Sequence, residues 1–124
     1  MNEVNKEFSE AFIDLCKSLW ANPRGLAGKI YKCKQNRKLE VVVRSDQVKF
    51  IFLYYWVNPI AFYDARDNSL HLNTWGYGSS PSIKELLNNL CPQGYGFFSR
   101  NFVAYTLSPS GEKESDGLVI KPYI

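Results

Sequence analysis

The side chains of this sequence best suited to catalysis are its three cysteines and its single histidine. Cys16, Cys33 and Cys91 are widely spaced and form no CxxC pair, and His71 is the sole imidazole. Neither a thiolate site nor a Cys/His site for zinc has its ligands at such spacing. One interpretation is three structural thiols in a reducing compartment. The alternative is a nucleophile pair of Cys91 and His71, which requires the imidazole to face the end of the helix that carries Cys91.

Other catalytic motifs are missing from the sequence. It contains no Gly-x-x-x-x-Gly-Lys phosphate loop, no dinucleotide fingerprint after a strand and no Gly-x-Ser-x-Gly elbow. The carboxylates fall in polar turns or loops, Asp64 and Asp67 in one and Glu112, Glu114 and Asp116 in another. Because almost any sequence contains two carboxylates that could be paired, this pattern is weak evidence for a catalytic acid/base pair. We therefore predict a protein that is not an enzyme, with no catalytic residues, no metal and no cofactor.

Charge is segregated along the chain and marks a candidate binding site. Residues 24–49 carry eight basic side chains against Glu40 and Asp46, a net charge of +6, while the rest of the chain sums to −3. Such a patch suits phosphates, with Tyr31 available to stack on a base, or an acidic protein surface. Charges on an exposed hairpin also serve solubility and edge protection alone, so three interpretations stay open. The candidate contact residues of this segment are Lys29, Tyr31, Lys32, Lys34, Arg37 and Lys38.

Aromatic residues in a glycine-rich turn mark a second candidate site. Trp75 and Tyr77 alternate with Gly76 and Gly78, which permit backbone angles that bulky residues avoid. Exposed together, these aromatic rings would form a contact patch of the kind that dominates protein interfaces. The alternative is that Trp75 plugs the end of a sheet. Trp75 and Tyr77 are therefore candidate partner contacts.

The turn leads into a helix whose start has two possible registers. Ser79 or Ser80 can cap it, with Pro81 at the first helical position. Alternatively, Ser82 caps the helix and Glu85 completes a capping box. The sequence does not decide between them.

Hydrophobic periodicity predicts helices over residues 4–21 and near 81–90. Strands are predicted over 29–34, 39–44, 48–57, 60–63, 70–73, 94–99, 102–108 and 118–120, with a polar loop over 109–116. The run over 48–57 is so aromatic that we expect a central strand covered on both faces. The resulting fold class is α+β, an antiparallel sheet packed by an N-terminal helix and a second helix near 81–90. One domain, 1–124, contains an N-terminal helix (1–23), a basic β segment (24–57) and a hairpin–helix–hairpin core (58–124).

Residues 54 to 120 resemble a family of small uncharacterised bacteriophage proteins, cyanophage members included. The matching residues are Asn58, Ile60, Ala61, Leu70, Leu72, Asn73, Gly76, Tyr77, Ser80, Ser82, Lys84, Leu87, Asn88, Asn101, Phe102, Ala104, Tyr105, Asp116, Gly117 and Leu118. The chain departs from the pattern at Pro81, where those proteins often carry Thr or Val, and its first 50 residues have no counterpart. The resemblance implies a phage setting and no particular chemistry.

These observations predict a small non-enzymatic phage or mobile-element protein that binds and inhibits or redirects a host factor. A defence nuclease such as a CRISPR effector is a candidate partner; the alternative is a nucleic-acid-binding accessory protein that uses residues 24–49. No apolar run approaches the roughly 18 residues of a membrane helix. The acidic N-terminus is unlike a signal peptide, so we expect a soluble protein of the host cytoplasm. Its oligomeric state stays open.

Overall fold

A computed structural model describes residues 2–123 of the chain. The helices are α1 (Glu3–Ala21) and α2 (Pro81–Leu90). The strands are β1 (Lys29–Lys34), β2 (Arg37–Val43), β3 (Lys49–Tyr55), β4 (Asn58–Asp64), β5 (Ser69–Asn73), β6 (Gly96–Arg100), β7 (Val103–Ser108), β8 (Gly111–Glu114) and β9 (Gly117–Ile120). They form two antiparallel sheets, one of six strands in the order β1-β2-β3-β4-β5-β9 and one of three in the order β6-β7-β8.

Both helices lie on one face of the six-stranded sheet, which we call the inner face. Alternate residues of its strands point there, because side chains of a strand alternate between faces. The buried cluster contains, from the sheet, Leu39, Val41, Ile51, Leu53, Ala61, Tyr63, Leu70, Leu72 and Ile120, and from the helices Phe8, Phe12, Cys16, Leu19, Ile83, Leu86, Leu87 and Leu90. Removal of this apolar surface from water is the main term that stabilises the fold.

The three-stranded sheet is attached to α2 rather than stacked on the larger sheet. Phe97 of β6 joins the buried cluster. The Asn88 side chain of α2 donates to the Phe97 carbonyl at 3.0 Å and accepts from its amide at 2.6 Å. Gly78 lies so close to β7 that a methyl group there would come within 2.8 Å of the Ala104 Cβ. The small sheet is thereby held beside the loop that joins β5 to α2.

The α+β class and both helices are confirmed, whereas several details of the strands are corrected. The predicted strand over 48–57 ends at Tyr55, and the strand predicted over 102–108 begins at Val103, which leaves Phe102 in a turn. The predicted loop over 109–116 contains β8, and β6, β7 and β8 form a sheet of their own. β3 is an interior strand as expected, yet only its inner face is fully covered. On its other side Phe50, Phe52 and Tyr54 are half-buried.

The start of α2 follows the first of the two predicted registers. Ser80 is the N-cap, its hydroxyl accepts from the Ile83 amide at 3.4 Å, and Pro81 occupies the first helical position. The competing candidate Ser82 instead accepts through its hydroxyl from the Arg37 guanidinium at 2.9 Å. Proline at the first helical position has no backbone N–H that would need an acceptor, which favours this arrangement.

Removal of the cap is expected to destabilise the protein. We predict that Ser80→Ala lowers the free energy of unfolding by about 1 kcal/mol, since it leaves a helix-start amide without its acceptor. Ser79→Ala, at the exposed neighbouring serine, should change it by less than about 0.5 kcal/mol. Urea titration of both variants checks this, and an equal effect at the two serines would contradict the assigned cap.

Candidate functional site

The basic segment is spread over two faces rather than gathered into one patch. Lys32 and Lys34 of β1 lie beside α1, with their ammonium groups 3.9 and 3.8 Å from Glu7. Lys29 lies over the ring of Tyr31 at 4.6 Å, and that ring packs against the buried cluster. Exposed pairs of this kind contribute little to stability. These four predicted contact residues therefore sit along the β1 edge, on the helix side.

Arg37 is a structural residue at the junction of α1, β2 and α2. It is buried, and its Nε donates to the Asn5 Oδ1 at 3.0 Å while Nη2 donates to the Ser82 hydroxyl at 2.9 Å. A third bond runs from Nη1 to the Gln35 carbonyl at 2.8 Å. Burial lowers the pKa of the guanidinium. A side chain held in this way is engaged inside the protein and does not face a partner.

The outer face of the six-stranded sheet carries a continuous group of rings. Cross-strand register places Phe52 beside Phe62 and Phe62 beside His71. All are half-buried, and no helix of residues 2–123 contributes to this face. We call this group the aromatic face; its members are Phe50, Phe52, Tyr54, Phe62 and His71.

The rings of the aromatic face are packed against each other, so their edges rather than their flat surfaces meet solvent. Phe62 and His71 stack at 4.1 Å with an interplanar angle of 6°. Phe52 stacks on Phe62 at 5.5 Å and on Tyr54 at 5.6 Å. Bases that bind to a sheet stack on exposed ring faces. Within this row those faces are occupied, and the result is a flat apolar surface.

Cations border the aromatic face, and each has an acidic neighbour. Arg66 lies over Phe50 and pairs with Asp64 at 2.8 Å; Arg44 lies over the same ring and pairs with Asp46 at 3.1 Å. The predicted contact residue Lys38 likewise lies 4.6 Å from the Tyr54 ring centroid and 3.9 Å from Glu40. Each pair sums to zero, so this surface has little net charge.

Trp56 and Trp75 project from turns at the same end of the six-stranded sheet, and Phe102 projects from the turn before β7, the strand that Gly78 approaches. Trp56 follows β3, Trp75 follows β5 and Phe102 lies between β6 and β7. Their exposed fractions are 59%, 49% and 93%. We call these three residues the aromatic end. The Trp75 indole donates to the Pro59 carbonyl at 2.6 Å, which connects it to the β4 start next to Trp56.

All three residues of the aromatic end have left-handed backbone angles. Their φ values are 55° at Trp56, 49° at Trp75 and 64° at Phe102. For bulky residues this region is strained by about 1 kcal/mol or more, and such strain concentrates at functional sites. Because they are both exposed and strained, these residues are not explained by a contribution to folding stability alone.

Tyr77, the other predicted aromatic contact, lies next to the aromatic end and packs inside the protein. It is half-buried against Tyr55, with ring centroids 5.0 Å apart and planes nearly perpendicular. Its hydroxyl accepts from the Asn58 amide at 3.4 Å. Of the predicted site residues, the structure therefore places Lys38 on the outer face and Trp75 at the aromatic end, packs Tyr77 against the buried cluster beside Tyr55, and leaves the β1 residues apart.

The sequence interpretation missed the aromatic face, Trp56 and Phe102. A usable signal was present for the face, because Phe50, Phe52 and Tyr54 occupy alternate positions of one strand. Trp56 had no comparable signal, because the apolar run continues through it to Val57.

The cysteines and the histidine do not form a catalytic group. His71 lies on the outer face, whereas Cys91 and Cys16 line a cavity on the inner side with Tyr63 and Leu70. Burial raises the pKa of Cys91 to about 12 and that of Cys16 well above its usual range. Among residues 2–123 no group of His, Cys, Asp and Glu side chains is placed to hold a metal. Neither helix in that range is long and apolar enough to cross a membrane.

Loss of the Arg37 contacts should destabilise the fold far more than loss of the neighbouring lysine. We predict that Arg37→Ala lowers the free energy of unfolding by about 2–4 kcal/mol, because it leaves the buried Asn5 Oδ1 of α1 without its donor and removes the hydrogen bond to Ser82 of α2. Lys38→Ala should lower it by less than about 1 kcal/mol. Urea titration measures both. Similar small losses would instead favour a surface role for Arg37.

Thiol reactivity should separate the three cysteines. With a pKa near 12, the Cys91 thiol is almost wholly protonated at pH 8, and only the thiolate reacts. We predict that iodoacetamide labels exposed Cys33 in the folded protein, and labels Cys16 and Cys91 only after denaturation. Mass spectrometry of labelled peptides reads this out, and rapid labelling of Cys91 in the folded state would restore it as a candidate nucleophile.

Comparison with known proteins gives no relative from which to infer function. No protein-family profile, no curated protein and no solved structure matches this chain. The bacteriophage resemblance of residues 54–120 therefore stays a prediction. What bears on function is the geometry of the aromatic end and the aromatic face.

Proposed function

We propose that this protein is a non-enzymatic binding protein that attaches to a partner protein through the aromatic end and the adjoining aromatic face. The partner surface is apolar and low in net charge, to match the flat row of rings. Binding at such a surface would inhibit or redirect the partner by occlusion.

The observation that carries this proposal is the conformation of Trp56, Trp75 and Phe102. Each is an exposed aromatic in a left-handed turn, where glycine would be less strained. Tryptophan and other aromatic residues dominate the energy of protein interfaces because they bury a large area with few rotatable bonds. A partner that buries these rings accounts for their presence in strained, exposed positions.

Charge supports a protein partner over a nucleic acid. Binding to a phosphate backbone needs a row of unpaired cations along the groove. Here Lys38, Arg44 and Arg66 each have a carboxylate neighbour on the outer face. Stacked rings in the row also leave few flat surfaces for bases.

The bacteriophage resemblance supports a host protein as the partner, met in the host cytoplasm. A defence nuclease complex of the CRISPR type is one candidate, which would make this chain an anti-CRISPR-like inhibitor. Many nuclease inhibitors imitate DNA with an acidic surface, and the +6 charge of residues 24–49 does not fit that version. We propose instead that the apolar surface of this protein binds the host protein and occludes it.

A second candidate function, a nucleic-acid-binding accessory protein, is favoured by one observation. Lys29, Lys32 and Lys34 are exposed along the β1 edge, with Tyr31 among them. This function requires affinity that falls steeply with salt and drops when these lysines are neutralised. The protein-partner proposal requires weak salt dependence and dominant aromatic contacts.

Affinity capture from bacterial lysate tests the proposal, with nuclease treatment of the lysate. We expect the wild-type protein to retain a host protein stoichiometrically after digestion. Trp56→Ser and Trp75→Ser should each reduce capture at least tenfold, since truncation of a central aromatic anchor typically weakens binding by about 2 kcal/mol or more. The readout is quantitative mass spectrometry of the eluates.

Trp20→Ser is the matched control, because Trp20 has a similar exposed fraction of 41% but lies on α1. It should leave capture unchanged. Thermal melting of each variant establishes that the fold is intact. Recovery of nucleic acid alone, or loss of all bound protein after nuclease treatment, would favour the second candidate function instead.

A further inference from the structure

The outer face has a cavity of about 230 Å³ where the aromatic end meets the aromatic face. Its walls include Pro59, Phe62, His71, Trp75 and Val119. None of the residues that line it carries a formal charge when the imidazole is neutral. A pocket of this size and composition suits one uncharged, largely apolar group rather than a phosphate or an ion.

Trp75 is fixed as a wall of this cavity even though half of it is in solvent. Its backbone amide donates to the Asn73 Oδ1 at 2.7 Å, and its indole nitrogen donates to the Pro59 carbonyl at 2.6 Å. Both donors hold the ring in place before any ligand arrives. Preorganisation of this kind strengthens binding, because little conformational freedom remains to be lost.

Gly117 lines the cavity without contributing a side chain to it. Gly117 pairs with Asn73 across β5 and β9, so it occupies a position on the outer face without a side chain. A Cβ there would lie 3.2 Å from the Asn73 amide nitrogen and 3.3 Å from the Leu72 carbonyl oxygen. A larger residue at this position would therefore have to displace the Asn73 side chain, another residue that lines the cavity.

Hydrogen bonds around Ser69 determine which nitrogen of His71 is a donor and which is an acceptor. The Ser69 hydroxyl donates its one proton to the Asp67 carboxylate at 2.6 Å. It can therefore only accept from the His71 Nε2, which lies 3.1 Å away. This assigns the proton of the neutral imidazole to Nε2 and leaves Nδ1 as an acceptor. Stacking on Phe62 keeps that ring in place.

From this geometry we infer that the cavity binds one tyrosine or tryptophan side chain of the partner protein, with the ring against Trp75 and its O–H or N–H donated to the His71 Nδ1. The inference rests on the proposed function and names the anchor residue of the partner. Phenylalanine fills the same space but leaves the acceptor unpaired, which disfavours it.

Titration with single-residue probes tests this anchor site without the partner. N-acetyl-tyrosine amide and N-acetyl-tryptophan amide should shift the backbone NMR signals of residues 71–75 and 117–119 in a saturable way. N-acetyl-phenylalanine amide should bind about fivefold more weakly, as expected for one lost hydrogen bond. Uridine serves as a comparison ligand with a planar heterocycle.

Two variants and a control sharpen the measurement. Trp75→Ala should weaken binding of the tyrosine probe at least tenfold. His71→Phe keeps a ring on Phe62 but removes the acceptor, so it should abolish the preference for tyrosine over phenylalanine. Trp20→Ala, far from the cavity on α1, should bind like the wild-type protein.

Three results would each overturn the anchor site: no shift with any probe, equal affinity of the wild-type protein for the tyrosine and phenylalanine probes, or tighter binding of uridine than of the tyrosine probe. Because no partner is present in this titration, its failure is distinct from failure of the proposed function. Probe binding without capture of a host protein would leave the anchor chemistry standing and count against the proposed partner class.

Discussion

One-sided coverage of the six-stranded sheet is the constraint from which the rest of the structure follows. Both helices pack on the inner face, where the Asn5–Arg37–Ser82 hydrogen bonds join α1, β2 and α2. The outer face must therefore be stable in water without a second layer. It achieves this by packing rings against one another and by laying arginine and lysine side chains over them. A surface of that kind is stable in contact with water and can also be buried against another protein.

The aromatic end differs from the aromatic face in what its residues do for the fold. Phe52 and Phe62 stabilise their own strands through cross-strand contact. Trp56 and Phe102 gain little from burial, since most of each side chain stays in solvent, and their left-handed angles oppose the fold. The proposed partner would supply the missing burial. The aromatic face thus contributes both to stability and to the proposed interface, whereas Trp56 and Phe102 contribute to the proposed interface alone.

The sequence predicts local elements well where one physical signal dominates. The periodicity of α1 and the serine cap of α2 were both predictable, although the choice of Ser80 required the structure. β8 was not predictable from the sequence, because Gly111–Glu114 is polar and exposed. This segment is a strand only through its pairing with β7. The role of Arg37 depends on Asn5 and Ser82, 32 and 45 residues away. Exposure of Phe52 depends on which side the helices cover, and both sides of β3 are apolar in the sequence.

The most direct test of this account is the unfolding free energy of Phe102→Gly. Asn101 and Phe102 both have positive φ, the pattern of a two-residue hairpin turn in which Asn-Gly is the preferred pair. If Phe102 is kept for a partner and strains the free protein, urea titration should show Phe102→Gly to be more stable by about 0.5–1 kcal/mol. A loss of more than about 1 kcal/mol would show that the exposed ring serves the fold itself. That result would contradict the claim that the aromatic end is held ready for binding.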